Sequence, residues 1–181
     1  MTNRYVTPLD PMVMAVDPST QSVGVAFGTP ARGITDSYTL TLPAKEFNYA
    51  LNKKVATTYE QRLNILVTLL APLVRKYKPM ILALEQPHSN PKNVQSSVKV
   101  ALATGLVWGS VVILRPEIAV QLYTPGEWKA AVLGNGNADK VTIAAYVALM
   151  GATVNSQDEA DARCILEYAL SLATQDMLEM E

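Results

Sequence analysis

The chain has one cysteine, one histidine and two tryptophans in 181 residues, and each scarcity removes a class of chemistry. Cys164 alone cannot close an intramolecular disulfide, and no Cys/His spacing matches a zinc site. Any metal must therefore be held by oxygen ligands. No apolar run reaches the roughly 18 residues that span a bilayer, and the opening MTNRYVTPLDP lacks the charged, apolar and small-residue zones of a signal peptide. The expectation is a cytoplasmic protein with no membrane partner. No internal repeat, low-complexity tract or interdomain linker interrupts it. With 49% hydrophobic and 17% charged residues, its length suits a single domain with a core over about 12–172 and an acidic, frayed tail at 173–181.

A surplus of basic charge is missing too. The net charge of −1 argues at first against a nucleic-acid partner, because affinity for phosphates depends on Lys and Arg releasing counterions. The average conceals a segregation. From Asp158 onward seven acids face Arg163 alone, so residues 1–157 carry 14 basic and 9 acidic groups. That bias is compatible with DNA binding and does not diagnose it.

What is present reads as an alternation of strands and helices. Residues 12–17, 22–28 and 33–41 are short β-rich runs separated by turn-forming residues, which predicts an antiparallel three-stranded meander. Residues 43–55 are polar and read as an irregular surface excursion. Leu63, Leu66, Leu69, Leu70, Leu73 and Tyr77 recur at helical spacing and predict a helix over 57–78 that Pro79 ends. The apolar run MILALE at 80–85 fits a strand covered on both faces. A helix at 94–114, a strand at 118–124 and a short helix from Pro125 to Val132 follow. Asn137 is a candidate cap for a helix to Met150, stopped by Gly151. Ser156 and Glu159 form the S-x-x-E of a capping box opening a last helix to about Leu172. This order implies an α/β fold in which a mixed five-stranded sheet, three strands antiparallel and two parallel, is flanked by helices.

Four acids stand out by position. Asp17 and Glu85 end the two most apolar strands, and Asp158 and Asp161, three apart at the start of the last helix, share a helix face. Sites in such sheets gather at strand ends. Phosphodiester hydrolysis requires screening of the phosphate, formation of hydroxide and stabilisation of a departing alkoxide. Mg²⁺ held by carboxylates supplies all three. Without a cation the four acids would repel one another. Each also has an ordinary reading: Asp17 in an Asx-type turn, Glu85 paired with a lysine, Asp158 and Glu159 serving the helix dipole.

The segment from Met14 to Val25, MAVDPSTQSVGV, resembles the opening of the RuvC family of Holliday junction resolvases, in the RNase H-like and retroviral integrase superfamily. Leu84-Glu85-Gln86 is similar to the family's second motif, and Asp158-Glu159-Ala160-Asp161-Ala162 to its closing D-x-x-D-A. Trp128-Lys129 and Asn137-Ala138-Asp139-Lys140 match the stretch where the family carries two functional lysines. The resemblance implies an RNase H-like fold, a homodimer, and paired symmetric nicks across a four-way DNA junction in recombination and repair, in a bacterial or virus-infected cell. It implies two Mg²⁺ ions per site, with Mn²⁺ able to substitute. Asp17, Glu85, Asp158 and Asp161 carry over as catalytic metal ligands, Lys140 as a catalytic and DNA-binding group, and Lys129 as DNA-binding.

The chain departs from the family pattern in its low net charge and in three places. Ser19 stands where the family has a glycine, His88 stands where it has an aromatic that stacks at the junction centre, and the excursion at 43–55 has no counterpart in the pattern. An imidazole also stacks on bases, so His88 is a candidate DNA contact, although a histidine in such a loop has an ordinary surface role as well. Other readings remain beside the resolvase: a broader flap or fork nuclease, and a noncatalytic module that binds branched DNA. The string D-P-S-T-x-x-x-G also resembles the first phosphate turn of actin-like sugar kinases, but a second lobe and a second glycine-rich motif are missing.

Overall fold

The computed structural model describes residues 10–48, 50–88, 91 and 93–178. β1 (Val13–Pro18), β2 (Ser22–Thr29) and β3 (Gly33–Thr41) form the expected meander. Their connections are too short for a crossover, so both pairs are antiparallel, with Asp17 opposite Gly24. The stretch expected to be irregular is instead a separate two-stranded sheet, β4 (Lys45–Asn48) and β5 (Lys53–Ala56). Asn52 adopts a left-handed conformation near its turn (φ 48°), so the reversal carries no glycine to announce it.

α1 (Tyr59–Tyr77) opens on a capping box between Thr58 and Gln61 and closes at left-handed Lys78, just ahead of Pro79. Next come β6 (Ile81–Glu85), α2 (Val94–Leu114), β7 (Ala119–Tyr123), α3 (Pro125–Leu133), α4 (Lys140–Leu149) and α5 (Gln157–Leu178). β6 lies parallel to β1, and β7 parallel to β6, giving the order β3-β2-β1-β6-β7. This is the mixed sheet that the sequence implies.

Three expectations are corrected. Asp139, not Asn137, caps α4: its carboxylate accepts from the Thr142 N–H at 2.8 Å, while Asn137 sits in the preceding turn. α5 runs through the stretch expected to fray, because Leu172 and Ala173 still pack against the core; residues 179–181 lie outside the described ones. α2 holds an 18-residue window of mean hydropathy 1.8, long and apolar enough by composition to cross a membrane, although no such run was expected. Its Ala103, Thr104, Val107 and Val111 are buried, and Val107 and Val111 pack in the core on one face of the sheet.

The two faces of the sheet differ in side-chain size. Met14, Val16, Phe27, Leu82 and Leu84 fill the side covered by α1 and α2. On the other side Ala15, Ala26 and Ala83 leave room for α5, whose Ala162, Ile165, Leu166 and Ala169 pack against them. The approach is tightest at Gly24, where an added Cβ would stand 1.8 Å from the Asp158 carbonyl oxygen. Glycine is required here by contact between backbones, not by its dihedral freedom. Because both neighbours are backbone, a methyl group cannot be absorbed by a rotamer change. Gly24→Ala is expected to cost about 3 kcal/mol, the upper part of the usual range for overpacking, read as a lower urea midpoint. An unchanged midpoint would mean that α5 retreats freely.

Candidate active site

Side chains alternate along a strand, so Asp17 shares the face of Val13 and Ala15, and Glu85 shares that of Ala83. All three hydrophobic residues belong to the core beneath α5. Parallel pairing of Val16 with Leu84 then sets Asp17 and Glu85 side by side at the ends of adjacent strands. The first turn of α5, seated on Gly24, brings Asp158 and Asp161 over the same place. Four acids distant in sequence thus meet at one end of the sheet.

Their charges act on one another. Burial pushes the Asp17 carboxyl well above the usual range, and the charges of Glu85, Asp161 and Asp158 push it the same way, against the pull of Lys129. Glu85 is raised by burial and by Asp161, opposed by a hydrogen bond from Trp128 and by the charges of Lys129 and His88. Asp161 is raised by burial and Asp158, opposed by a hydrogen bond from Gln157 and by Lys129 and Lys140. Among the described residues no lysine or arginine forms an ion pair with any of the four.

Neutral donors hold three of them instead. The Trp128 indole N–H donates to Glu85 at 3.0 Å, and the Gln157 amide donates to Asp161 at 2.7 Å. The Ser22 hydroxyl donates to Asp158, and the Ser19 hydroxyl lies 3.2 Å from the same oxygen. Ser19, the departure from the family's glycine, therefore puts a hydroxyl beside one of the acids. With the side chains so engaged, no three His, Cys, Asp or Glu groups among the described residues are gathered closely enough to ligate one ion.

Glu159, between the two aspartates, serves a different purpose. It is buried, and burial alone would raise its carboxyl; hydrogen bonds from the Asn155 backbone and from Ser37, Thr39 and the Asn155 side chain overcome this and hold it below the ordinary value. It accepts from Ser37 and Thr39 at 2.7 Å each, which ties the start of α5 to β3. The expected capping box is shifted: Ser156 accepts from the Glu159 N–H, but Glu159 returns the bond to the Asn155 N–H, not to that of Ser156.

Lys129 and Lys140 both lie within electrostatic reach of the acids. Lys129, on α3, is near enough to act on Asp17, Glu85 and Asp161, and its Nζ lies 5.3 Å from the centroid of the Trp128 ring. Lys140 is exposed in the first turn of α4, and its charge reaches Asp161. His88 is exposed on the rim of a cleft of about 250 Å³ that runs from Asp17, Ser19 and Glu85 to Asn93 and Ser96 at the start of α2.

Nothing in the sequence marks Trp128 for its role as donor to Glu85. A buried indole needs an acceptor for its N–H, and only the fold makes that acceptor Glu85. Ser22 and Gln157 carried no signal beyond lying near the motifs.

The family model described as crossover junction endodeoxyribonuclease RuvC matches residues 13–171. A RuvC from Stenotrophomonas maltophilia (strain R551-3) is 31% identical over 161 residues, 89% of this chain and 87% of that one. The RuvC of Brachyspira hyodysenteriae (strain ATCC 49526 / WA1) is 37% identical over 108 residues, 59% of this chain and 66% of that one. The RuvC structure of Thermus thermophilus superposes with a TM-score of 0.65 at 19% identity, covering 91% of this chain and 96% of that one. The yeast mitochondrial Holliday junction resolvase superposes at 0.56 and 13% identity, covering 90% and 79%. These likenesses make the fold that of the RNase H-like resolvases. Matched from residue 13 to residue 171, and nearly a third identical along most of its length to a RuvC, the chain belongs to the RuvC family of crossover junction endodeoxyribonucleases.

Proposed function

We propose that the chain is a single nuclease domain that resolves four-way DNA junctions by paired hydrolytic nicks, using Asp17, Glu85, Asp158 and Asp161 as ligands for divalent metal. The observation that carries this reading is Asp17: buried, faced by three further carboxylates, and without an ion-pair partner among the described residues. A bound cation is what such a group lacks.

All four donors are hard oxygens, the chemistry that Mg²⁺ and Mn²⁺ accept. When bound, two such ions would supply charge screening at the phosphate and activation of water. The protein's part is to hold its acids ready. Trp128 orients Glu85, Gln157 orients Asp161, and Ser22 and Ser19 hold Asp158. Lys129, whose charge reaches Asp17, Glu85 and Asp161, and Lys140, whose charge reaches Asp161, would receive the anionic backbone. His88, at the rim, is placed to meet an unstacked base at the junction centre.

A twofold substrate calls for a twofold enzyme. α2 offers the surface: Val94, Val98, Leu102, Trp108 and Ile113 are exposed, from 42% for Trp108 to 80% for Ile113, although the helix is strongly apolar. We assign this face to contact with a second copy. The engagement of Asp158 by two serines is the observation that would favour a noncatalytic junction-binding module instead. A less selective flap or fork nuclease differs only in the substrate that the same site accepts.

Three outcomes are expected. Asp17→Asn should lower cleavage of a synthetic mobile four-way junction in Mg²⁺ or Mn²⁺ by on the order of a thousandfold while gel-shift binding persists; full activity would dispose of the catalytic reading. Trp128→Phe keeps the buried ring and removes its N–H, so the Mg²⁺ concentration for half-maximal cleavage should rise by roughly tenfold; no rise would leave the hydrogen bond to Glu85 without a role. The third concerns pH. A carboxyl whose folded pKa is raised above its unfolded value of about 4 binds its proton more tightly when folded, so the stability it contributes is whole below about pH 4 and is lost as pH climbs through the folded value. In EDTA the melting temperature should accordingly fall from pH 5 towards pH 8. Asp17→Asn should melt higher than the parent at pH 8, with the gap closing near pH 4; an advantage equal at both pH values would refute the electrostatic origin.

A further inference from the structure

The hairpin of β4 and β5 occupies the stretch where the sequence departs from the family pattern, and the active site described above makes no use of it. We propose that this ribbon is a phosphate-binding arm that holds a duplex arm of the DNA substrate beside the cleft. The proposal rests on the junction-resolving function and names a further surface for that substrate.

The ribbon carries three lysines, Lys45, Lys53 and Lys54, against Glu46, and all four are exposed. Its register pairs Lys45 with Ala56 and Phe47 with Lys54, so Lys45 and Lys54 are diagonal neighbours on one face; Glu46 and Lys53 occupy the other. Among the described residues none of these lysines forms an ion pair. Two like charges held together with no acid between them raise the local potential, an arrangement that anion binding relieves. The chain as a whole is slightly acidic, so the concentration of charge here is local.

An isolated two-stranded hairpin is marginal in water, and this one is fastened at its base. The Thr57 N–H donates to the Ala44 carbonyl at 3.0 Å, and the Leu42 N–H to the Gln21 carbonyl at 2.8 Å. Arg62 of α1 clamps the same place, donating from Nε to the Thr57 hydroxyl and from Nη1 to the Thr20 carbonyl, each at 3.2 Å. Thr20 and Gln21 belong to the turn that follows Asp17, and Ser19 of that turn lines the cleft. The ribbon thus grows from the lip of the proposed active site, and its base is tied to the turn that follows Asp17.

The surroundings extend the basic surface. Tyr59, three residues past the hairpin, donates its hydroxyl to the Lys99 carbonyl of α2 and lies under the Lys99 ammonium, 5.8 Å from ring centroid to Nζ. A band from the ribbon past Arg62 to Lys99 therefore borders the side of the cleft formed by α2. Exposed lysines on flexible stems suit the evenly spaced charges of a duplex backbone and read no sequence. An acidic protein segment would meet the same lysines but would not follow the length of the DNA.

The test is the variant with Lys45, Lys53 and Lys54 all changed to alanine, titrated with four-way junctions of long and of short arms over a series of salt concentrations. On long arms we expect affinity to drop roughly tenfold or more near 0.1 M salt and the logarithmic salt slope to shrink by about 2 to 3, as phosphate contacts are lost. The loss should appear in the protein concentration for half-maximal cleavage and be recovered at high protein. On short arms the two proteins should converge. If the parent binds and cleaves the junction while the variant keeps its affinity and salt slope, the arm is refuted and the resolvase reading stands. Equal loss on long and short arms refutes it too, as would a loss of melting temperature that accounts for the weaker binding. A parent that neither binds nor cleaves four-way DNA overturns both.

Discussion

The contact of the α5 backbone with the backbone of β2 at Gly24 is the constraint from which the site follows. A side chain at that position would lift the helix, and with it Asp158 and Asp161, away from strands that end in Asp17 and Glu85. Small residues at Ala15, Ala26 and Ala83 extend the clearance along the sheet. Glu159 then secures from β3 what the small residues permit, because its buried carboxylate accepts from Ser37, Thr39 and Asn155. Close packing and a satisfied buried charge together set the position of Asp158 and Asp161.

That closeness has an electrostatic cost. Carboxylates gathered in a place shielded from water raise one another's proton affinity, and Lys129 offsets only part of this. The site is consequently less stable than an apolar one would be, which is common where a protein holds charge ready for a ligand. Hydrogen bonds from Trp128, Gln157, Ser19 and Ser22 spread the burden over neutral donors. Neutral donors can release an acid at little cost, whereas a lysine bound tightly to the same oxygen would compete with metal.

Basic charge is placed on the periphery in the same economical way. The chain carries no large positive surplus: Lys129 and Lys140 lie beside the acids, and Lys99 and the ribbon lysines lie apart from them. The acids from Asp158 onward lower the average, and among them Asp161 lies within reach of the charges of Lys129 and Lys140.

Features coded by neighbours in the chain were legible from the start. The meander, the strand at MILALE, the termination of α1 ahead of Pro79, the helix at 94–114 and the acids at strand ends all rest on periodicity or turn chemistry over a few residues. Where two local signals competed, the reading erred: Asn137 and Asp139 are both good caps, and packing of α4 chose the second; the tail looked polar, yet Leu172 and Ala173 had a core to meet. The ribbon was hidden because its reversal uses Asn52 and its strands are rich in lysine. The sequence by itself determined which elements form and which acids stand at their ends, since those follow from short-range sterics and hydrophobic pattern. Which donor meets which acid, that Trp128 reaches Glu85 and Ser22 reaches Asp158, was decided only by tertiary structure, because a hydrogen bond between residues more than forty positions apart exists only once the sheet and α5 have closed on each other.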